Sequence, residues 1–426
     1  MSGAERAPVT RNRFDRHPVL TGIAIALALV LVLDIIVGTY LNRRSRALLR
    51  IGRANERSYR RADSVYHHDL VPLMRVDSAL WGGAFYRVRT NSLGFKDADP
   101  RIVTPASVSP RVVIIGDSFT EGIGVVFDST TVGRFATRGR GVGVDVLNAG
   151  VASYSPVIYY RKMRDLLERR RLRVDEVVVF IDISDIQDEA YLDLDANGRV
   201  KGYVPGTRDN HLEMPGTEAD SGSLYFRVRR FLGANSFAVY RALSVVTHPM
   251  RHRNKVRSTV DGAAYPGPSC DPPPTGDNLR CRAGWTSSAI IMNKFGRTGL
   301  ARGAAHMSQL AALLRQRGIP MTVVVYPWIY QLQWNDRHSI QSSTWRAWAE
   351  GQQVGFVDLF PAFFSQVDST SVDAVTTRLF LNGDVHWNVR GHDFVAQQFA
   401  ASYCAAHGNQ PTVRTPLALA ICAVSR

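Results

Sequence analysis

Four β-branched residues in a row, Val112-Val113-Ile114-Ile115, run straight into Gly116-Asp117-Ser118-Phe119-Thr120-Glu121-Gly122. An apolar run of that length without polar alternation reads as a strand buried on both faces, and the Gly-Asp-Ser that ends it reads as a tight turn. The chain is therefore expected to build a sheet covered on both sides, with a hydroxyl at the tip of one strand. Far downstream lies Gly383-Asp384-Val385-His386-Trp387-Asn388. An early serine at a strand end and a late Asp-x-His supply the residue types of a nucleophile, its base and the base's orienter.

A strand and helix alternation surrounds that first strand. Val144–Leu147, ending at Asn148-Ala149-Gly150, is expected as a second strand, and Glu176–Ile183 as a third that is apolar on both faces. Helical patterns cover Val157–Arg171, Gly299–Gln316, Gln341–Gln353 and Val389–Ala406, with further strands at Met321–Tyr326 and Gly355–Leu359. Continuous apolar strands alternating with helices predict an α/β layered domain with a parallel sheet. In such sheets ligands sit at the C-terminal strand ends. Gly116-Asp117-Ser118, Asn148-Ala149-Gly150 and Asp182-Ile183-Ser184-Asp185 all fall there. Residues 188–285 break the rhythm and read as an insertion covering or edging the site. They hold a Gly/Asp-rich stretch, an expected helix around Ser223–Val246, and the Pro-rich loop between Cys270 and Cys281. Phe226, Phe231 and Trp285 within it are read as core residues of this cap rather than as an acyl groove.

The N-terminus carries a second signal. Val19–Leu41 is 23 residues long and apolar apart from Asp34 and a few small polar residues. As a helix it would span about 34 Å, enough to cross a bilayer's hydrocarbon core. It is too long for a signal-peptide core and no small-x-small cleavage site follows, which predicts an uncleaved anchor. The net charge of +15 is concentrated around it: residues 1–61 hold twelve arginines against four acids, a balance of +8, and the remaining 365 residues carry +7. Basic residues flanking an apolar segment are read as attraction to a membrane surface. There is no basic stripe interleaved with aromatics, so nucleic acid is not an expected partner. Arginines stand on both sides of the segment, and the charge rule does not favour export of the C-terminal part. Cysteine usage points the other way. Cys270 and Cys281 bracket an exposed Pro-rich excursion, Cys404 and Cys422 would form the second pair, and four cysteines allow three connectivities. Disulfides would indicate an oxidising, extracytoplasmic compartment.

The chemistry follows from the residue types. Ser118 is a weak nucleophile until a base takes its proton, His386 Nε2 is the expected base, and Asp384 would hold the other ring nitrogen. A helix starting at Ser118 would point its backbone N–H, aided by the helix dipole, at an oxyanion. Taken singly, a Gly-Asp-Ser is more often a plain turn, and a histidine beside an aspartate more often structural. The ordered set at strand ends carries the weight. An α/β-hydrolase elbow requires Gly-x-Ser-x-Gly, and position 120 is threonine. His67-His68, His386 and His392 lack metal-ligand spacing, and Gly116–Gly122 lacks the lysine of a phosphate loop. No metal and no cofactor is expected, and His392 is read as capping or packing the last helix.

These residues resemble the SGNH (GDSL-type) hydrolases. Gly116–Gly122 looks like their first block, Leu147–Ser153 like the second, Phe180–Asp185 lies where the third falls, and Asp384–Asn388 is similar to the last. The resemblance covers about 110–185 and 318–402, and its first and last blocks are the specific ones. It implies a flavodoxin-like three-layer α/β/α fold and a Ser-His-Asp mechanism on esters, with Ser118 as nucleophile, His386 as base and Asp384 as orienter. Oxyanion donors carried over by position are Ser118, Ser153 and Ser184. Ser153 stands where the family usually has Gly, and Ser184 where it usually has Asn. Losing one oxyanion donor typically costs about 10²–10³ in rate.

Asp-x-His in place of Asp-x-x-His is a further variant. With the anchor, and with Asn91-Ser92-Leu93-Gly94-Phe95 ahead of the first block, it resembles the membrane-anchored branch that handles O-acetyl groups on exported polysaccharides. The resemblance implies an ester-bearing glycan or small acyl substrate. It also implies a single-pass inner-membrane protein whose catalytic domain is extracytoplasmic and whose N-terminal helix contacts lipid, with further membrane-complex partners left open. The expected organisation is a cytoplasmic tail (1–17), an anchor (18–41), a juxtamembrane stalk (42–80), an SGNH-like domain (81–408, with 188–285 inserted) and a C-terminal tail (409–426). Hydrolase and transferase share these residues. A weakly active or inactive SGNH-fold protein that binds glycan or partner subunits is the alternative.

Overall fold

The structure is a computed structural model; it describes residues 17–204, five positions within 231–238, 279–407 and 415–422. A first helix, α1 (Pro18–Ser58), is followed by two antiparallel hairpins, β1 (Arg60–Asp63) with β2 (His67–Leu70) and β3 (Arg75–Trp81) with β4 (Ala84–Arg89). Then come β5 (Arg111–Ile115), the one-turn α2 (Ser118–Glu121), α3 (Thr131–Gly141), β6 (Asp145–Asn148), α4 (Pro156–Arg164), β7 (Glu176–Ile181) and α5 (Asp185–Tyr191). A small hairpin follows, β8 (Leu192–Leu194) with β9 (Val200–Tyr203). The later part holds α6 (Arg297–Arg315), β10 (Met321–Val325), α7 (Ile340–Gln352), β11 (Gly355–Asp358), α8 (Val389–His407) and α9 (Pro416–Ile421).

The central sheet has the order β11-β10-β7-β5-β6, and every neighbouring pair is parallel. Counting only these five strands in chain order, that is the flavodoxin arrangement 2-1-3-4-5, whose direction of winding reverses between β5 and β7. The three-layer expectation is met. On one face α6 packs against α4, α5 and α7; on the other, α3 packs against α8 and α9. Residues of β5, β7 and β10 are buried along their whole length, as unbroken apolar strands between two helix layers require.

The chain divides into two compact units, Met1–Arg50 with Thr217–Ala264, and Ile51–Gly216 with Tyr265–Arg426. In the first, α1 is the one helix among the described residues long and apolar enough to cross a membrane. Asp34, the one acid in its apolar stretch, is hydrogen-bonded: Oδ2 accepts from Ser236 Oγ at 2.5 Å and Oδ1 from the Ala238 N–H at 2.7 Å. In the second, Cys404 and Cys422 are joined, which fixes α9 beside the end of α8. Cys281 is also disulfide-bonded. Cys270 and the expected helix around Ser223–Val246 lie outside the described residues, apart from single positions of the latter, as does Phe226. Phe231 is about half exposed, whereas Trp285 is buried and donates Nε1–H to the Ile183 carbonyl at 2.9 Å.

Candidate active site

β5 delivers Ser118 to the place where the winding reverses. Gly116 makes the turn possible: a Cβ there would lie 2.2 Å from Thr120 Oγ1 and 2.8 Å from the Phe180 carbonyl oxygen. Asp117 caps the turn that follows, its Oδ1 accepting from the Phe119 N–H at 2.9 Å. Gly122 closes that turn at φ 73° and returns its N–H to the Ser118 carbonyl at 3.0 Å. The helix anticipated from Ser118 is thus a single turn, ending at a left-handed glycine. Any electrostatic help to an oxyanion there comes from local N–H groups rather than from a long helix.

The late loop brings the histidine back to the same strand end. Gly383 (φ 72°) turns the chain, the Leu381 N–H bonds the His386 carbonyl at 2.8 Å, and Asn388 caps the start of α8 by accepting from the Arg390 and Gly391 N–H groups. Across 268 residues of sequence, Ser118 Oγ lies 2.7 Å from His386 Nε2. His386 Nδ1 lies 2.5 Å from Asp384 Oδ1, and the same oxygen accepts the His386 backbone N–H at 3.0 Å. Burial pulls the Asp384 pKa up, but the electrostatic attraction of the neighbouring His386 and these hydrogen bonds outweigh it and hold it at about 2. The imidazole rests against Phe119 (ring centroids 4.8 Å apart) and meets Trp81 edge-on at 5.6 Å. Trp387, Tyr326 and Phe119 form the apolar floor beneath it.

The proposed oxyanion donors fare unequally in their local bonding. Ser153 follows β6 with φ 63°, a left-handed position that suits the glycine the family pattern carries there. Ser184 is buried after β7, and its N–H donates to Asp182 Oδ1 at 2.7 Å. His392, six residues beyond His386, is no part of the constellation. Its Nδ1 accepts the Thr131 N–H at 3.2 Å, tying the start of α3 to α8, as its packing role anticipates.

Several further groups surround these residues. Asp117 Oδ2 is a second acceptor near Ser118 Oγ, at 3.2 Å. Asp117, Asp182 and Asp185 are buried and can place one carboxylate oxygen each within 4.8 Å of one another, the one such group with cation-like spacing among the described residues. Tyr159 and Trp328 donate into it. Burial raises all three pKa values, with the neighbouring carboxylates adding to the rise at Asp117 and Asp185. Glu121, buried at the end of the turn that carries Ser118, receives two nitrogens of Arg60 at 3.0 Å each. Lys96 donates to the carbonyls of Gly122 and Val125 at 2.6 and 2.7 Å, and burial lowers its pKa to about 8. Spacing does not reveal the partners of Glu121 and Lys96, because each of these bonds joins segments 26 or more residues apart.

No family model matches the chain, and no curated protein matches it. Solved structures do. A catalytic mutant of an acetylxylan esterase from Geobacillus stearothermophilus is 12% identical, with 70% of this chain and 96% of that chain covered at a TM-score of 0.37. An alpha/beta hydrolase enzyme from the metagenome of Lake Arreo, Spain, is 12% identical (70% and 97% covered, TM-score 0.35). A psychrotrophic esterase from a Pseudoalteromonas species is 9% identical (71% and 100% covered, TM-score 0.34). A likeness at these scores carries no weight about activity, which has to be read from this chain's own side chains.

Proposed function

We propose that this chain is a membrane-tethered SGNH-type serine esterase or O-acyltransferase that acts on ester groups, O-acetyl above all, of a cell-surface glycan. The observation that carries this reading is the relay Ser118 Oγ, His386 Nε2, His386 Nδ1, Asp384 Oδ1, with links of 2.7 and 2.5 Å at the C-terminal end of β5. As Ser118 Oγ attacks the ester carbonyl carbon, its proton passes to His386 Nε2 and Asp384 stabilises the imidazolium. The carbon–oxygen bond to the alcohol then breaks, the proton goes from Nε2 to the leaving alkoxide, and the acyl group remains on Ser118. Water (hydrolysis) or a sugar hydroxyl (transfer) attacks that acyl-enzyme and gives its proton to Nε2; the acyl–Oγ bond then breaks, and Nε2 returns the proton to Ser118 Oγ. Backbone N–H groups of Ser118 and Ser153 are the proposed oxyanion donors. The Ser184 hydroxyl is the weakest of the three, because it reaches less far than the amide the family carries there and is hydrogen-bonded to Asp182.

In this reading residues 1–17 are a cytoplasmic tail, 18–41 the anchor, 42–80 the juxtamembrane segment, 81–408 the catalytic domain and 409–426 the tail that follows it. The domain faces an oxidising compartment, which the Cys404–Cys422 bond favours. The test is a Ser118→Ala comparison of surface-glycan O-acetyl content in the native host. A fall in acetylation indicates transfer and a rise indicates removal. Unchanged acetylation together with glycan affinity that survives the substitution would instead favour a binding protein.

A further inference from the structure

The segment that follows the first helix meets the proposed site at Ala152. Its backbone N–H donates to Glu121 Oε2 at 2.8 Å, and Glu121 is itself held by Arg60 of β1. Its carbonyl lies 2.7 Å from Nε2 of His68 on β2. A carbonyl can only accept, so His68 Nε2 carries the proton. The buried ring, whose pKa burial pulls down to about 3, is neutral at ordinary pH. Its Nδ1 then accepts from His67 Nδ1 at 2.8 Å.

Geometry gives this contact its consequence. The Ala152 carbonyl and the Ser153 N–H belong to one planar trans peptide and point in opposite directions. A donor fixed on the carbonyl therefore fixes the direction of that N–H. The neighbouring contacts make the donor rigid. The Tyr154 hydroxyl lies 3.0 Å from the His68 carbonyl and 3.1 Å from Asp69 Oδ1, and Lys162 Nζ reaches Asp69 Oδ1 at 2.7 Å. Lys162 and Asp69 are fully buried, so this staple is shielded from water.

We propose that His68 and Glu121 are positioning residues: by gripping Ala152 from its carbonyl and its N–H, they aim the Ser153 N–H at the oxyanion, and thereby make the β1–β2 hairpin next to the long helix part of the catalytic apparatus. The inference rests on the esterase reading. It assigns the hairpin a role in turnover and not only in tethering.

The test uses the full chain in detergent, with p-nitrophenyl acetate as probe and Ser118→Ala as the blank. His68→Leu removes the donor, whereas His68→Gln keeps an N–H close to the position of Nε2. For His68→Leu we expect kcat to fall about 10–100-fold with KM within about twofold, the size of effect that a slight misplacement of a catalytic group produces. His68→Gln should recover most of that loss. Glu121→Leu should resemble His68→Leu; where it fails to fold, the His68 pair carries the test. Hydrogen exchange in residues 149–155 should quicken in His68→Leu while β5 and β7 stay protected. Equal kcat for wild type and His68→Leu overturns the proposal. An equal loss in His68→Leu and His68→Gln also overturns it, because packing alone would then explain the effect. Wild-type turnover no higher than that of Ser118→Ala would overturn the esterase reading and the positioning role with it. Exchange in 149–155 would still decide whether the grip on Ala152 exists.

Discussion

One carboxylate oxygen serves His386 twice: Asp384 Oδ1 receives both the backbone N–H and the ring Nδ1 of the residue two positions ahead. The Asp-x-His spacing is thus a closed local turn in which a single atom fixes the loop and the tautomer together. Asp384→Asn should therefore lower kcat by about 10²–10⁴, since an amide can present its N–H and reverse the ring's orientation. KM should change little. Initial rates on a soluble acetyl ester check this, and a loss under threefold would contradict it.

Gly122 stands at φ 73°, and a Cβ there would lie 2.3 Å from Thr130 Cγ2. Gly122→Ala should cost about 2 kcal/mol or more in stability, since left-handed strain and the clash add. It should also slow turnover, because Gly122 closes the turn that carries Ser118. Urea unfolding and kcat measured on the same preparation test both effects, and unchanged values would show that the turn relaxes freely.

How much of this could be read in the sequence depends on the range of the interaction. The five sheet strands were legible because each is a short β-branched or apolar run bounded by turn residues, and the structure moves their ends by only one or two positions. Ser118, His386 and Asp384 were legible because turn chemistry and chain order mark them. The single turn after Ser118 was not anticipated, although Gly122 could have signalled its end. Arg60, His68, Lys96 and Glu121 were opaque. A charged residue reads as solvent-facing until tertiary packing buries it, and Arg60 meets Glu121 only because the β1–β2 hairpin folds against the loop after β6 and against α4. His67-His68 lacks metal-ligand spacing, and no local pattern announces a hydrogen bond to a carbonyl 84 residues away.

Acid should destabilise the fold through two histidines. Burial holds both His68 and His392 at a pKa of about 3, while an exposed imidazole titrates near pH 6.5. The unfolded chain therefore binds more protons between those values. Stability is full above about pH 6.5 and falls as the pH drops towards 3, by about 1.4 kcal/mol per pH unit for each ring. His392→Asn, which keeps an acceptor for the Thr131 N–H, should flatten the slope by about one proton. Urea titrations between pH 7 and pH 4 measure it, and an unchanged slope would contradict the assignment.

The Cys404–Cys422 bond closes a loop of 18 residues and pins α9 against α3. Replacing both cysteines by alanine should lower stability by about 2–4 kcal/mol and leave kcat within about twofold, because neither residue contributes to the strand ends that hold Ser118 and His386. Thermal unfolding with parallel rate measurements checks this. A large fall in kcat without loss of stability would contradict it.

The most direct test of the central claim is covalent labelling of the full-length protein with a fluorophosphonate, followed by peptide mass analysis. The account predicts stoichiometric modification of Ser118, slowed strongly by His386→Ala and absent in Ser118→Ala. No labelling of the wild type, or equal labelling of Ser118→Ala, would contradict it.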